Sequence, residues 1–196
     1  MQKIALTGPS GAGKGYVSEI LRKYDLPTLD TDAVVHALYA DAAFARNLQA
    51  RFDSPVLAPD GSVDRKALGA LVFSDENAMK KLQKLVYPLV REKIAEYIAV
   101  CAEKGSPAVF VDAPQLFEAG FEGDFDRILC VYAPKADRLR RIMRRDGISR
   151  VSAGLRMRSQ MSGAEYKRRA HSVIDSRTGA DVEKQTLDLL KAWKIL

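Results

Sequence analysis

The sequence predicts an α/β fold: a five-stranded parallel sheet with helices on both faces. Three observations predict it. Short apolar runs alternate with amphipathic helical stretches, the pattern of repeated strand–helix–strand units. The run Ala108-Val109-Phe110-Val111 is apolar without interruption before Asp112, as expected of a central strand covered on both faces. A glycine-rich stretch, Gly8 to Lys14, lies between a strand pattern and a helix pattern.

Strand one is expected over about residues 2–7, around Ile4-Ala5-Leu6. The helix after the glycines should cover about 13–24. Val17, Ile20 and Leu21 recur at helical spacing, with Glu19, Arg22 and Lys23 on the other face. Pro27-Thr28-Leu29-Asp30 reads as a short second strand. Thr31 is placed to cap a helix through Val34, Val35, Leu38 and Tyr39; Asp41 is placed to cap the next, with Phe44, Leu48 and Phe52 on one face. Pro59-Asp60-Gly61-Ser62 is a turn. Asp64 opens a short helix with Leu68, Leu71 and Val72. Ser74-Asp75-Glu76 starts a long amphipathic helix carrying Leu82, Leu85, Val86, Leu89, Ile94, Tyr97, Ile98 and Cys101. Pro88 interrupts it and should kink it. Strands three and four follow at Ala108–Asp112 and Arg127–Tyr132, then a cationic helix from Lys135 to Arg145. Ser162-Gly163-Ala164-Glu165 fits a capping box. Ser172-Val173-Ile174-Asp175 is the fifth strand, and a final helix from about Asp181 carries Val182, Leu187, Leu190 and Trp193.

Gly8-Pro9-Ser10-Gly11-Ala12-Gly13-Lys14 satisfies G-x-x-x-x-G-K, the signature of a loop that wraps a nucleotide triphosphate. Glycines let the backbone turn tightly and aim successive N–H groups at phosphate oxygens. The following helix presents its positive end to the same anions, and Lys14 adds a mobile charge for the β and γ phosphates. The alternative is a turn that binds nothing; the flanking strand and helix and the placed lysine argue against it. The next position should be Ser or Thr, whose hydroxyl ligates Mg²⁺. Here it is Gly15.

Ligands of such sheets sit at the carboxyl ends of the strands. That rule predicts a cleft lined by Gly8, Asp30, Asp112 and the segments after Ala133 and Asp175. A kinase needs a group that orients or deprotonates the acceptor hydroxyl, and Asp32 is the candidate. Asp30 and Asp32 have a second reading as helix caps, and residue type alone leaves both open.

The chain has 196 residues, 47% of them hydrophobic, enough for one domain with a full core. Its net charge of +6 suits an anionic partner. Between Arg138 and Arg169 there are eleven Arg or Lys residues against Asp146 and Glu165. A lid closing over polyphosphate is the preferred reading. A nucleic-acid patch is the alternative, but only Tyr166 is there for base stacking. Cys101 and Cys130 sit in apolar segments without metal spacing and read as small buried hydrophobes. The start shows no leader pattern, and no apolar run approaches the ~20 residues of a membrane span. A cytoplasmic protein with small-molecule ligands is expected, without nucleic-acid or membrane partners and with its oligomeric state open.

In order along nearly the whole chain, the sequence resembles the dephospho-CoA kinase family. Ile4 to Lys14 is similar to that family's opening, and Leu29-Asp30-Thr31-Asp32 to its Asp-x-Asp motif. Asp60-Gly61-Ser62-Val63-Asp64-Arg65 with Leu68 and Val72-Phe73 resembles its next block; Ala113-Pro114-Gln115-Leu116-Phe117-Glu118 resembles its Pro-Leu-Leu-x-Glu block. Arg141, Arg145, Asp146 and Gln160 fall at lid spacings, and Val173-Ile174-Asp175 matches the last strand.

The resemblance implies a P-loop kinase-like three-layer fold. About 33–104 would form a helical acceptor-side subdomain, and about 138–169 an Arg-rich lid. It implies ATP with Mg²⁺ as cofactors and dephospho-CoA as acceptor, phosphorylated on its ribose 3′-hydroxyl. Gly8, Gly11, Ala12, Gly13, Lys14, Gly15 and Tyr16 would bind the nucleotide. Asp32 would engage the 3′-hydroxyl, and Arg141 and Arg145 would stabilise charge on the transferring group. Arg65, Tyr87 and Pro114 would join Asp32 on the acceptor side. With Gly15 in the loop, water would fill the metal's missing position, with Asp30 or Asp112 holding the ion through its water shell. Further departures are Tyr87-Pro88 for His-Pro, Asp175-Ser176 for Asp-Asn, and Gln115 for Leu. A nucleoside or nucleotide monophosphate kinase, and a catalytically weakened nucleotide-binding derivative, are the other readings.

Overall fold

Ile4, Ala5 and Leu6 of β1 (Gln2–Thr7) are fully buried because this strand lies in the middle of the sheet. The computed structural model describes residues 1–196. It adds β2 (Thr28–Asp30), β3 (Ala108–Asp112), β4 (Arg127–Tyr132) and β5 (Ser172–Asp175) in the order β2-β3-β1-β4-β5. β1 runs parallel to both neighbours, with Leu6 opposite Asp112 and Thr7 opposite Cys130. β4 runs parallel to β5, with Tyr132 opposite Asp175. The register therefore brings Gly8, Asp112, Ala133 and Ser176 to one end of the sheet, the end where strand termini meet ligands.

The helices are α1 (Lys14–Lys23), α2 (Thr31–Ala40), α3 (Ala42–Gln49), α4 (Arg65–Ser74), α5 (Glu76–Glu103), α6 (Lys135–Asp146), α7 (Arg150–Arg158), α8 (Gly163–Arg169) and α9 (Val182–Ala192). The chain forms two compact units, one of Met1–Leu29 with Ile98–Leu196 and one of Asp30–Tyr97.

In the first unit, Ile4, Leu6, Leu21, Phe110, Leu129 and Trp193 meet in one core. Burial of such side chains contributes about 1.5–3 kcal/mol each. A smaller cluster of Ile142, Ala153 and Met157 joins α6 to α7. Both cysteines are buried, and burial pushes the Cys130 thiol up to about 11. No helix is long and apolar enough to cross a membrane.

In the second unit, helix starts follow the expected chemistry with one correction. Asp41 accepts from the Phe44 amide at 2.7 Å, and Asp64 accepts from those of Lys66 and Ala67 at 2.9 and 3.0 Å. For α2 the cap is Asp30, not Thr31. Its Oδ1 accepts from the amides of Asp32 and Ala33 at 2.9 and 3.4 Å, and Thr31 is already helical. Asp30 ends a strand in extended conformation, which is the backbone a cap needs. Pro88 lies inside α5, which is one helix from Glu76 to Glu103.

In the first unit the capping box at 162–165 forms by half. Ser162 Oγ accepts from the Glu165 amide at 3.1 Å, but the Glu165 carboxylate pairs with Arg168 one turn on. α7 carries no strong apolar periodicity and had no expected counterpart; Ser149 caps it through the Ser152 amide at 3.1 Å.

Candidate active site

The loop between β1 and α1 is shaped by close approach. Gly8 has φ 141°, and a Cβ there would lie 2.2 Å from the Val131 carbonyl oxygen of β4. Gly11 has φ 76°, and its Cβ would lie 2.7 Å from the Arg138 carbonyl oxygen of α6. Side chains at either position collide with backbone that cannot yield. Gly8→Ala is therefore expected to destabilise the fold by about 3 kcal/mol, from strained backbone plus overpacking. A denaturant midpoint equal to the parent's would disprove this.

Gly13 is the N-cap of α1 in left-handed conformation (φ 96°). It has no side chain to cap with, and the first turn contains no acid. The start of α1 therefore keeps the partial positive charge of its amides uncompensated by its own cap or first turn. The Lys14 ammonium reaches back along the loop and donates to the Gly8 carbonyl at 3.0 Å. Gly15 follows with open space around its Cβ position, and the Tyr16 amide donates to the Gly13 carbonyl at 3.2 Å.

Four side chains from later in the chain hold this loop. Arg141 of α6 donates to the carbonyls of Gly11 and Ala12 at 3.3 and 3.4 Å and to Ser176 Oγ at 3.1 Å. The buried Ser176 hydroxyl in turn donates to the Ala12 carbonyl. Arg138 donates from Nε to the Ser10 carbonyl at 2.9 Å. It is only 6% exposed, and burial lowers its guanidinium below the usual range. Gln160 accepts from the Ser10 amide through Oε1 at 2.9 Å. Ser176, Arg138 and the Gln160 contact carry no local sequence signal, because their partners lie more than a hundred residues away.

Arg141 is thus brought to the loop, whereas Arg145 turns to its neighbour Asp146 with contacts of 2.7 and 3.0 Å. Arg156 shares that carboxylate at 2.7 Å, and the hydrogen bond from Arg145 is the main cause holding Asp146 below its usual pKa. Arg168 and Arg169 pair with Glu165 and Glu122. Within the basic segment, Arg138 and Arg141 thus address the loop, while Arg145, Arg156, Arg168 and Arg169 are paired with acids.

At the end of β3, Asp112 Oδ2 accepts from the buried Ser18 hydroxyl of α1 at 3.3 Å. Pro114 follows in the connection to β4, its carbonyl 3.4 Å from the buried Tyr166 hydroxyl. Within the second unit, exposed Asp32 occupies the first turn of α2 and exposed Arg65 begins α4, while Tyr87 is half-buried in α5. The structure contains no group of three or more His, Cys, Asp or Glu placed to cage a metal.

Residues 2–181 match the family model described as dephospho-CoA kinase. A dephospho-CoA kinase from Geobacillus kaustophilus is 36% identical over 98% of this chain and 97% of its own length. One from Anaeromyxobacter dehalogenans is 38% identical over 90% of this chain and 84% of its own. A crystal structure from Thermus thermophilus superposes with a TM-score of 0.87 at 35% identity, covering 98% of this chain and 97% of that one. The dephospho-CoA kinase of Campylobacter jejuni gives 0.72 at 25% identity, covering 97% and 96%. Shikimate kinase from Acinetobacter baumannii, at 16% identity and a TM-score of 0.57, shares the fold. The phosphate loop, the parallel sheet behind it and a family match over nearly all of its length agree: this chain belongs to the dephospho-CoA kinase family.

Proposed function

We infer that this chain transfers the γ-phosphoryl group of ATP to the ribose 3′-hydroxyl of dephospho-CoA, giving CoA and ADP. The observation that carries this is the family match over residues 2–181, which includes the complete loop from Gly8 to Lys14. In such transfers the protein acts chiefly by positioning and by stabilising charge. The loop amides and the uncapped start of α1 receive the phosphates, and Lys14 leaves the Gly8 carbonyl for the β and γ oxygens. Asp32 orients the 3′-hydroxyl and accepts its proton. Arg141 keeps the loop in its phosphate-accepting shape and adds positive charge beside it. Arg145 joins the transferring group on leaving Asp146. Arg65, Tyr87 and Pro114 serve the acceptor. The arginine-rich segment is read as a lid over polyphosphate rather than a nucleic-acid surface: Arg138 and Arg141 hold the loop, and Tyr166, its one aromatic side chain, is buried away from any base.

Mg²⁺ fits the residues present, with a changed donor set. Gly15 has no hydroxyl, but Ser18, one turn along α1, places a buried oxygen on the Asp112 carboxylate at 3.3 Å. Mg²⁺ binds through one or two carboxylates plus substrate phosphates and keeps several waters, so Asp112 and Ser18 suffice. Asp30 suits it less, since its Oδ1 caps α2. The ion supplies charge neutralisation on the β and γ phosphates.

A Cβ at Gly15 meets nothing within 4 Å, so the missing hydroxyl fits without repacking. Gly15→Ser is expected to lower the Mg²⁺ concentration for half-maximal rate, or to raise kcat, by about fivefold, the size of one added contact of roughly 1 kcal/mol. Identical Mg²⁺ titrations for both proteins would contradict this.

The reaction is tested by following ADP and CoA from ATP and Mg²⁺ with dephospho-CoA, with each nucleoside monophosphate and with no acceptor. CoA formed with dephospho-CoA alone supports the assignment; ATP binding without turnover on any acceptor would point to a weakened derivative in which Gly15 is decisive.

A further inference from the structure

Ser10, at the turn of the phosphate loop, has both backbone groups held by the arginine-rich segment. Arg138 takes its carbonyl, and Gln160, between α7 and α8, takes its N–H, each at 2.9 Å. A backbone N–H is accepted only by the carbonyl end of a glutamine, so the contact fixes the side chain's orientation. Oε1 faces Ser10, and the Nε2 donors, bonded to the same carbon, stay beside the loop. Gln160 is half-buried, and its amide nitrogen has no acceptor within the protein.

The loop itself shows which phosphate lies there. The helix start takes the phosphates nearer the nucleoside, and the loop lysine addresses the β and γ groups. The Lys14 ammonium sits on the Gly8 carbonyl at 3.0 Å, so the Gly8–Ser10 limb is the γ side. We propose that Gln160 is a recognition residue for the terminal phosphate, its Nε2 donating to a γ oxygen while its Oε1 holds the Ser10 amide, so that it favours nucleoside triphosphate over diphosphate. This rests on the phosphoryl-transfer reading and deepens it. Gln160 lets the lid register whether the donor still carries the group to be transferred.

The test is calorimetric titration of ATP and of ADP, each with Mg²⁺ and without acceptor, against the parent, Gln160→Glu and Gln160→Ala. The glutamate still accepts the Ser10 N–H but has no donor and sets a negative charge beside the γ oxygens. ATP should bind it about tenfold more weakly or worse, with ADP changed by less than about threefold. The alanine variant should reduce the ATP-to-ADP preference by about fivefold, one hydrogen bond to a charged group. Equal weakening of both nucleotides, or an unchanged preference in both variants, would overturn the proposal and leave Gln160 as a support for loop shape. If thermal melting shows Gln160→Glu unfolded, the alanine variant decides. CoA formation by the parent is measured alongside. Its absence would count against the assigned reaction, while the nucleotide preference would still judge Gln160.

Discussion

Lys14→Met is expected to lower kcat by about two to three orders of magnitude, the scale on which loss of one preorganised charge-stabilising group acts. Methionine matches the length and stem of lysine, so packing is kept and the ammonium alone is lost. In the structure that ammonium rests on the Gly8 carbonyl at 3.0 Å, inside the loop it serves. The lysine is half-buried and outside the apolar core, so stability should change by no more than about 1 kcal/mol. Steady-state rates at saturating ATP, with a melting curve on the same sample, separate the two effects. A rate within a few-fold of the parent would remove Lys14 from the catalytic group.

Asp32→Asn is expected to lower kcat by about 10² to 10⁴, the usual contribution of a positioned general base. The comparison that gives this meaning is Asp30→Ala. Asp30 caps α2 through the amides of Asp32 and Ala33. Its loss should lower stability by about 1 kcal/mol and affect the rate only modestly. Asn keeps the size of Asp32 and removes its ability to accept a proton. If both variants instead lose rate equally, the acids act together as a structural cap and Asp32 is not the base.

What the sequence revealed depended on how local each cause was. β3 and β4 were legible to the residue because each is a short run rich in Val, Ile, Phe or Tyr with a proline close to one end, and length, flanking proline and residue type together favour a strand over a buried helix. The loop was legible because Gly8, Gly11 and Gly13 occupy backbone conformations that L side chains rarely adopt. Thr31 and Asp30 are both good caps, and only the end of β2 decides between them. In the same way Glu165 had two donors within reach and took Arg168, which the capping pattern does not count. α7 escaped because it buries only Ala153 and Met157 and is held by its packing on α6. The struts on the loop were out of reach for a stronger reason. Arg141, Arg138 and Gln160 grip residues 129, 128 and 150 positions away, and no window of sequence encodes that proximity. The family resemblance supplied Arg141 and Gln160 as members of a pattern. It did not supply the atoms they hold.

Both native thiols lie in the packed interior, and the Cys130 thiol ionises only near 11, so neutral-pH reagents that need thiolate will pass it by. That makes the unaltered chain a clean background for spectroscopic labelling. A cysteine introduced at Val151, 71% exposed on α7, would carry a fluorophore or spin label without first stripping the native sulfurs. The segment bearing Gln160 could then be followed in the intact enzyme as nucleotide is added.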